Sequence, residues 1–393
     1  MKRQPLALAV LAGLFASGCL SFNRTAPTPG LTYVGSHPVT LPCLLVDHVL
    51  IVEAKWDKYG PYHFVLDTGS SVTLVSPDLA KRYVSEASPA PSEPQVRVRS
   101  SEGGSAFLTA TTLKKIQLGN ARFEFVPVLV FDCADLSAQF GVKIDGILGF
   151  PLFQNAVLTL DYPHRRIVLR SRIPEDGLPG EAILFDNADK TPLISIRLGD
   201  REFAALIDSG SNAAMAINPA GLAPKFSFGP VDGPVVSTLT GDRPSQVGRL
   251  ADVVRMGSFD IPHPVAEVTD ELSSIGGGIL SHFTITFDQE DDEVFFQHDA
   301  ADSLAMPAVR GTGMSFQKTP AYWKVAGVIA GSPADAGGVR TGDLVSRING
   351  EPVDNWDLNR YGRLIATSER VEFTFIEGAQ GSAKSIQVVE LVP

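Results

Sequence analysis

Short apolar runs separated by turn-forming residues, with apolar and polar positions alternating inside many of them, recur along most of the chain. That period predicts strands rather than long helices. Val49 to Trp56 reads as one strand, Asp57-Lys58-Tyr59-Gly60-Pro61 as a turn, and Tyr62 to Leu66 as a second strand that delivers Asp67 at its end. Leu74 to Ala80 follows, where Ser76 can cap and Pro77 can open a short helix. The same order returns later: a strand over Leu193 to Leu198, a tight turn at Gly199-Asp200, and a strand over Arg201 to Ile207 that delivers Asp208. Ile217-Asn218-Pro219 then echoes the short helix start.

The two aspartates are 208 − 67 = 141 residues apart. The ends of the two units also correspond. Leu148-Gly149 and Leu158-Thr159-Leu160-Asp161 match Ile275-Gly276 and Ile285-Thr286-Phe287-Asp288, both at an offset of 127 residues. A repeat of this size is a duplicated domain rather than a solenoid, and its second copy has the shorter middle. Arg172 to Gly180, rich in proline and glycine, is the natural linker. Near Val309 a third unit of short strands and glycine turns begins and runs to the C-terminus.

At the N-terminus the pattern differs. Lys2 and Arg3 precede an apolar run from Leu6 to Ala16, too short to cross a bilayer as a helix, which predicts a secretory leader over 1–18. A small, polar spacer occupies 19–35. The whole chain has 393 residues, 44% of them hydrophobic, which excludes a disordered or collagenous class. Its formal charge of −11 argues against a broad nucleic-acid face, so no nucleic-acid partner is expected. Setting Cys19 aside leaves Cys43 and Cys133, which can form one disulfide in an oxidising compartment or remain two unpaired core thiols.

The chemistry concentrates at the repeated aspartates. Two carboxyls held close can share one proton, so that one accepts a proton from water while the other donates one. Asp67 and Asp208 each sit in an apolar-apolar-Asp-(Thr/Ser)-Gly-Ser motif. Gly69 and Gly210 permit a tight turn beneath the carboxyls. The hydroxyls of Thr68 and Ser209 can bond across the junction between the units, and those of Ser70 and Ser211 can donate to carboxylate oxygens. An isolated Asp-Thr-Gly is often only a turn, but two copies at matching register make coincidence a poor explanation. Metal chemistry is a weaker alternative. The seven histidines, at 37, 48, 63, 164, 263, 282 and 298, lack His-Glu-x-x-His spacing, so neither a metal nor another cofactor is expected.

Phe64 to Ser71 followed by Ile144-Asp145-Gly146-Ile147-Leu148-Gly149 resembles pepsin-like and retroviral-type aspartic peptidases, and Leu206 to Ser211 with Ser274-Ile275-Gly276 resembles the second half of the pepsin-like arrangement. The resemblance covers roughly residues 36 to 300. It implies a mainly β protein with two lobes, 36–173 and 181–299, forming a bilobal fold with Asp67 and Asp208 as the catalytic dyad. It also implies a flap over the cleft. The corresponding stretch, Val96 to Thr112, carries Gly103-Gly104 and no tyrosine, and Thr240-Gly241-Asp242 takes a comparable place in the second copy. Two glycine-tipped flaps, at Gly103, Gly104 and Gly241, are more like a fused retroviral-type dimer than like pepsin.

Two further resemblances complete the expectations. Ser17-Gly18-Cys19 resembles the lipobox of bacterial lipoproteins, with Ala16 where leucine is more usual. It implies lipidation of Cys19 and membrane anchoring in the bacterial cell envelope, facing the periplasm; an ordinary cleaved signal is the alternative. Residues 309–393, with Gly331-Ser332-Pro333-Ala334 and Gly342-Asp343, resemble a PDZ domain of bacterial exported proteases, a small α+β unit. There Thr312, Gly313, Met314, Ser315 and Phe316 would form the loop that receives a peptide C-terminal carboxylate, and a helix from about Trp356 to Ile365 the other groove wall. The expected activity is that of an exported endopeptidase acting on protein or peptide chains. A catalytically inactive peptide-binding or scaffold lipoprotein is the alternative.

Overall fold

The computed structural model describes residues 28–55, 57–85, 95–99, 105–174, 177–238, 241–299, 304–319, 321–376 and 381–393. The expected leader, Cys19 with its lipid, and the Gly103-Gly104 tip lie outside the described residues. Strands dominate, as the alternating pattern predicts. Within the first repeat, strand Tyr62–Asp67 runs parallel to Gly146–Gly149, and Thr73–Val75 pairs antiparallel to that same strand. In the second, Arg201–Asp208 runs parallel to Ser274–Gly276, against which Met215–Ile217 lies antiparallel. Gly146–Gly149 and Ser274–Gly276 therefore thread between the two arms of the aspartate loop in their respective copies. Each is buried on both faces, which is why Gly146–Gly149 and Ser274–Gly276 lack polar alternation.

The copies meet along one sheet edge. Strand Val157–Asp161 pairs antiparallel with Phe283–Asp288, and Thr159 Oγ1 lies 2.9 Å from Thr286 Oγ1. These threonines are counterparts at the 127-residue offset. A residue can touch its own counterpart only beside the two-fold axis that relates the copies, so the axis passes here. The sheet continues outward through Arg166–Arg170 and Val39–Val46 on one side and Glu293–His298 on the other. Beneath it a shared core runs through both repeats, including the edge-to-face pair Phe150–Phe287 at 5.2 Å between centroids. Each fully buried side chain of this kind contributes roughly 1.5–3 kcal/mol, so the two repeats stabilise one another.

The short helix expected after the first aspartate forms as Pro77–Tyr83, with Ser76 accepting the Leu79 amide at 3.4 Å. Its expected echo does not form. After Met215–Ile217 the chain makes a turn in which Asn218 Oδ1 accepts the Ala220 amide, and Gly221 at φ +76° leaves the helical region. The first repeat has instead a second helix, Ala134–Phe140, between its outer hairpin and the threaded strand.

Residues 309–392 form a unit with its own core around Trp323, Val345, Phe373 and Ile386. Its main sheet runs in the order Met314–Lys318, Trp323–Val328, Leu344–Ile348, Arg370–Phe375, Ser382–Gln387. Ser332 caps the short helix Pro333–Ala336, and Asp357 caps helix Leu358–Thr367, which lies two residues later than the sequence suggests.

Candidate active site

Asp67 and Asp208 each end a strand, in register with Gly149 and Gly276 respectively. The next residues lock the two loops together. The Thr68 amide donates to Ser209 Oγ at 3.0 Å, and the Ser209 amide donates to Thr68 Oγ1, also at 3.0 Å. Thr68 Oγ1 in turn donates to Ile207 O at 2.6 Å, and Ser209 Oγ to Leu66 O at 2.8 Å. Both side chains are fully buried, so losing either hydroxyl strands an amide and a carbonyl away from water. Thr68 and Ser209 thus do what their residue types suggested, and threonine against serine makes no difference to the pattern of bonds.

The glycines bring the carboxyls together. A Cβ on Gly69 would stand 2.7 Å from Asp208 Cγ, and one on Gly210 only 2.5 Å from Asp67 Cγ. Each carboxyl therefore rests on the other repeat's glycine, and no larger residue fits either place without separating them. The Gly210 amide donates to Asp208 Oδ1 at 3.0 Å. Burial first, and then the charge of Asp208, hold the Asp67 carboxyl well above the ordinary carboxylate range. The pair thus keeps a proton that an isolated carboxyl would release. Oδ1 of Asp67 has no hydrogen-bond partner among the described residues.

Residues 52–152 match the family model of an aspartyl protease, and residues 324–376 that of a PDZ domain. The chain carries an aspartyl protease domain and a PDZ domain. No curated protein matches it. Both domains are of kinds that bind peptide or protein chains.

In the protease domain, Ser70 departs from expectation. Its hydroxyl donates to Val72 O at 2.8 Å rather than to a carboxylate, and support for Asp67 comes instead from the backbone amides of Gly69 and Ser70. Ser211 Oγ accepts the Ala213 amide at 3.3 Å, holding its own turn. The hairpins do form. Gln95–Arg99 pairs with the start of Ser105–Leu118, and Phe226–Thr238 with Gly241–Leu250, where Gly241 faces Thr238 beside the tip. Gly103 and Gly104 lie outside the described residues.

Cys43 and Cys133 are both free thiols, so the disulfide does not form. Cys43 packs beside the large shared core, whereas Cys133 belongs to a separate cluster with Ile51, Leu129 and Phe140. Burial pushes both thiols up to about 12, leaving them as small core groups.

In the PDZ domain the five residues of the expected carboxylate loop split into two parts. Thr312 and Gly313 make a turn whose carbonyls accept the Ala334 and Ile329 amides at 3.0 and 2.7 Å. Gly313 has φ +86°, and a Cβ there would meet Ser332 Cβ at 2.1 Å, so only glycine closes this turn. Met314, Ser315 and Phe316 already belong to the outermost strand.

Some neighbours of the aspartates carry no sequence signal. Asn212 donates its side-chain amide to Asp47, 165 residues earlier, and the Asp47-His48 turn lies against Gly277. Tyr162 is buried nearby, its phenol driven upward by burial and by the charge of Asp208, so it stays neutral. Only the turn character of Asp47-His48, between two apolar runs, is visible in advance.

Proposed function

We propose that the protein is an aspartic endopeptidase whose Asp67/Asp208 dyad activates water against a peptide bond, with two fused lobes that together supply one site. The observation that carries this is the mutual seating of the carboxyls, each on the other lobe's glycine. In the proton-sharing state one carboxylate takes a proton from the attacking water while the protonated partner donates to the carbonyl oxygen, giving a tetrahedral intermediate. The raised Asp67 carboxyl serves as the donor and Asp208, braced by the Gly210 amide, as the acceptor. Roles then reverse as the proton passes to the leaving amine.

The two hairpins, Gln95–Arg99 with Ser105–Leu118 and Phe226–Thr238 with Gly241–Leu250, cover the substrate and take it extended, since a strand-like chain exposes its backbone to hairpin edges on both sides. An exported, lipid-anchored position facing the periplasm, through Cys19, completes this reading; mass spectrometry of the membrane-extracted protein, with and without Cys19→Ala, tests it. Activity is tested by incubating the mature protein and its Asp208→Asn variant with a diverse peptide library. Products from the first and none from the second support the enzyme. Peptide binding without products from either supports a scaffold.

A further inference from the structure

The PDZ domain does not stand apart from the protease domain. Its outermost strand, Met314–Lys318, has a strand partner on one edge only among the described residues and offers the other for strand addition. Helix Ala134–Phe140 of the first lobe packs against this strand. Lys318 runs across the helix's C-terminal end, where a Cβ on Gly141 would meet Lys318 Cδ at 2.5 Å, placing a cation beside the helix's last carbonyls. Leu358, at the start of the helix that forms the opposite groove wall, packs both in the PDZ core and against the cluster holding Cys133 and Phe140. Between the two walls, Tyr361 stacks edge-on against Phe316 and Trp323 at 5.6 and 5.5 Å. Ser315 Oγ, on the outermost strand, is buried with no hydrogen-bond partner among the described residues. Strand Phe226–Thr238 of the second lobe also packs against the PDZ sheet.

We propose that helix 134–140 occupies the peptide-accepting side of the PDZ domain and latches it shut against both lobes, so that an extended peptide must displace the helix to bind. A second contact between the PDZ domain and the first lobe leads toward the dyad. Asn359 Nδ2 donates to Leu45 O at 2.7 Å, and the strand carrying Leu45 ends in the Asp47 turn that Asn212 holds, two residues beyond Gly210. Displacing the helix loosens the PDZ domain's hold on this strand and on the second-lobe hairpin, which makes the latched state the less active one. That inhibitory sense rests on the peptidase reading; the occupied groove does not.

Hydrogen exchange on the full chain tests the latch directly. Leu358→Asp is expected to speed exchange over 134–140 and 314–318 together by about tenfold, with 62–67 and 370–375 unchanged. Lys318→Glu, a surface change that spares the PDZ core, is expected to produce a smaller rise over the same two segments, and it decides the matter if Leu358→Asp loosens 370–375 as well. Unchanged exchange over 134–140 in Lys318→Glu, or a rise in one segment without the other, overturns the latch. Cleavage of the peptide library is read separately and is expected to be several-fold faster in the variants. Faster exchange with no cleavage by any chain keeps the latch and sinks the peptidase reading; faster exchange with slower cleavage overturns the inhibitory sense.

Discussion

The two repeats agree closest to their shared axis and diverge with distance from it. At the centre, Thr68 and Ser209 exchange equivalent bonds, Gly69 and Gly210 exchange equivalent contacts, and Thr159 meets Thr286. Further out, residues 131–145 of the first repeat contain helix Ala134–Phe140, whereas the corresponding passage of the second, 269–273, goes directly into Ser274–Gly276. The difference teaches which parts answer to chemistry. Under the proposed dyad a shared proton needs two like settings, so the centre is held to symmetry, while the periphery is free to differ. One repeat alone acquires the helix on which the PDZ domain docks.

The strongest test of that symmetry is at the aspartates. Asp67→Asn and Asp208→Asn are each expected to lower kcat/KM by about 10²–10⁴-fold, because each removes one half of the proposed acid–base pair. A large difference between them breaks the equivalence. The two glycines come next. Gly210→Ala and Gly69→Ala are each expected to destabilise by about 1–3 kcal/mol in urea unfolding and to lower kcat, since a methyl group must push a carboxyl aside. At the hydroxyls, Thr68→Val and Ser209→Ala should each cost about 1–3 kcal/mol. The double variant is expected to lose less than the sum, because each hydroxyl serves the other's amide.

The effect of pH on stability follows from the raised Asp67 carboxyl, and it distinguishes the axis from the periphery. Ionising this group is harder in the folded chain than in the unfolded one, so the unfolded state releases the proton first. Its contribution to stability is fully present below the ordinary carboxyl value of about 4, and it is lost as pH rises from there through the raised folded value. Asp67→Asn removes that loss. The variant's gain in Tm over the parent chain is therefore expected to grow from pH 4 toward neutrality, in thermal scans at fixed salt, while its activity stays low. An equal gain at all pH values refutes the assignment. The smallest effect is expected at the threonine pair, where Thr159→Val should cost about 0.5–1.5 kcal/mol and leave kcat unchanged.

Much of the centre was legible in the residues themselves, because strands, tight turns and the two Asp-(Thr/Ser)-Gly loops are written over a few consecutive positions. The 127-residue offset even identifies Thr159 and Thr286 as counterparts, although not that they touch. What could not be read depends on distant partners. Ser70 has a backbone carbonyl two residues away as an alternative acceptor, and its turn geometry makes that choice. Cys43 and Cys133 are near in sequence organisation yet belong to different clusters. The helix expected near Pro219 loses to Gly221. The PDZ contact joins Asn359 to Leu45 across 314 residues, with no periodicity that connects them.

The pairing of Val157–Asp161 with Phe283–Asp288 has a consequence in time. These strands are separated by more than a hundred residues, so the chain must close a long loop before the pair can form. As the polypeptide emerges, the first aspartate loop is complete well before its counterpart exists. The two carboxyls can come together only once both repeats are present, and a nascent or truncated chain that lacks the second repeat therefore holds one aspartate loop without its counterpart.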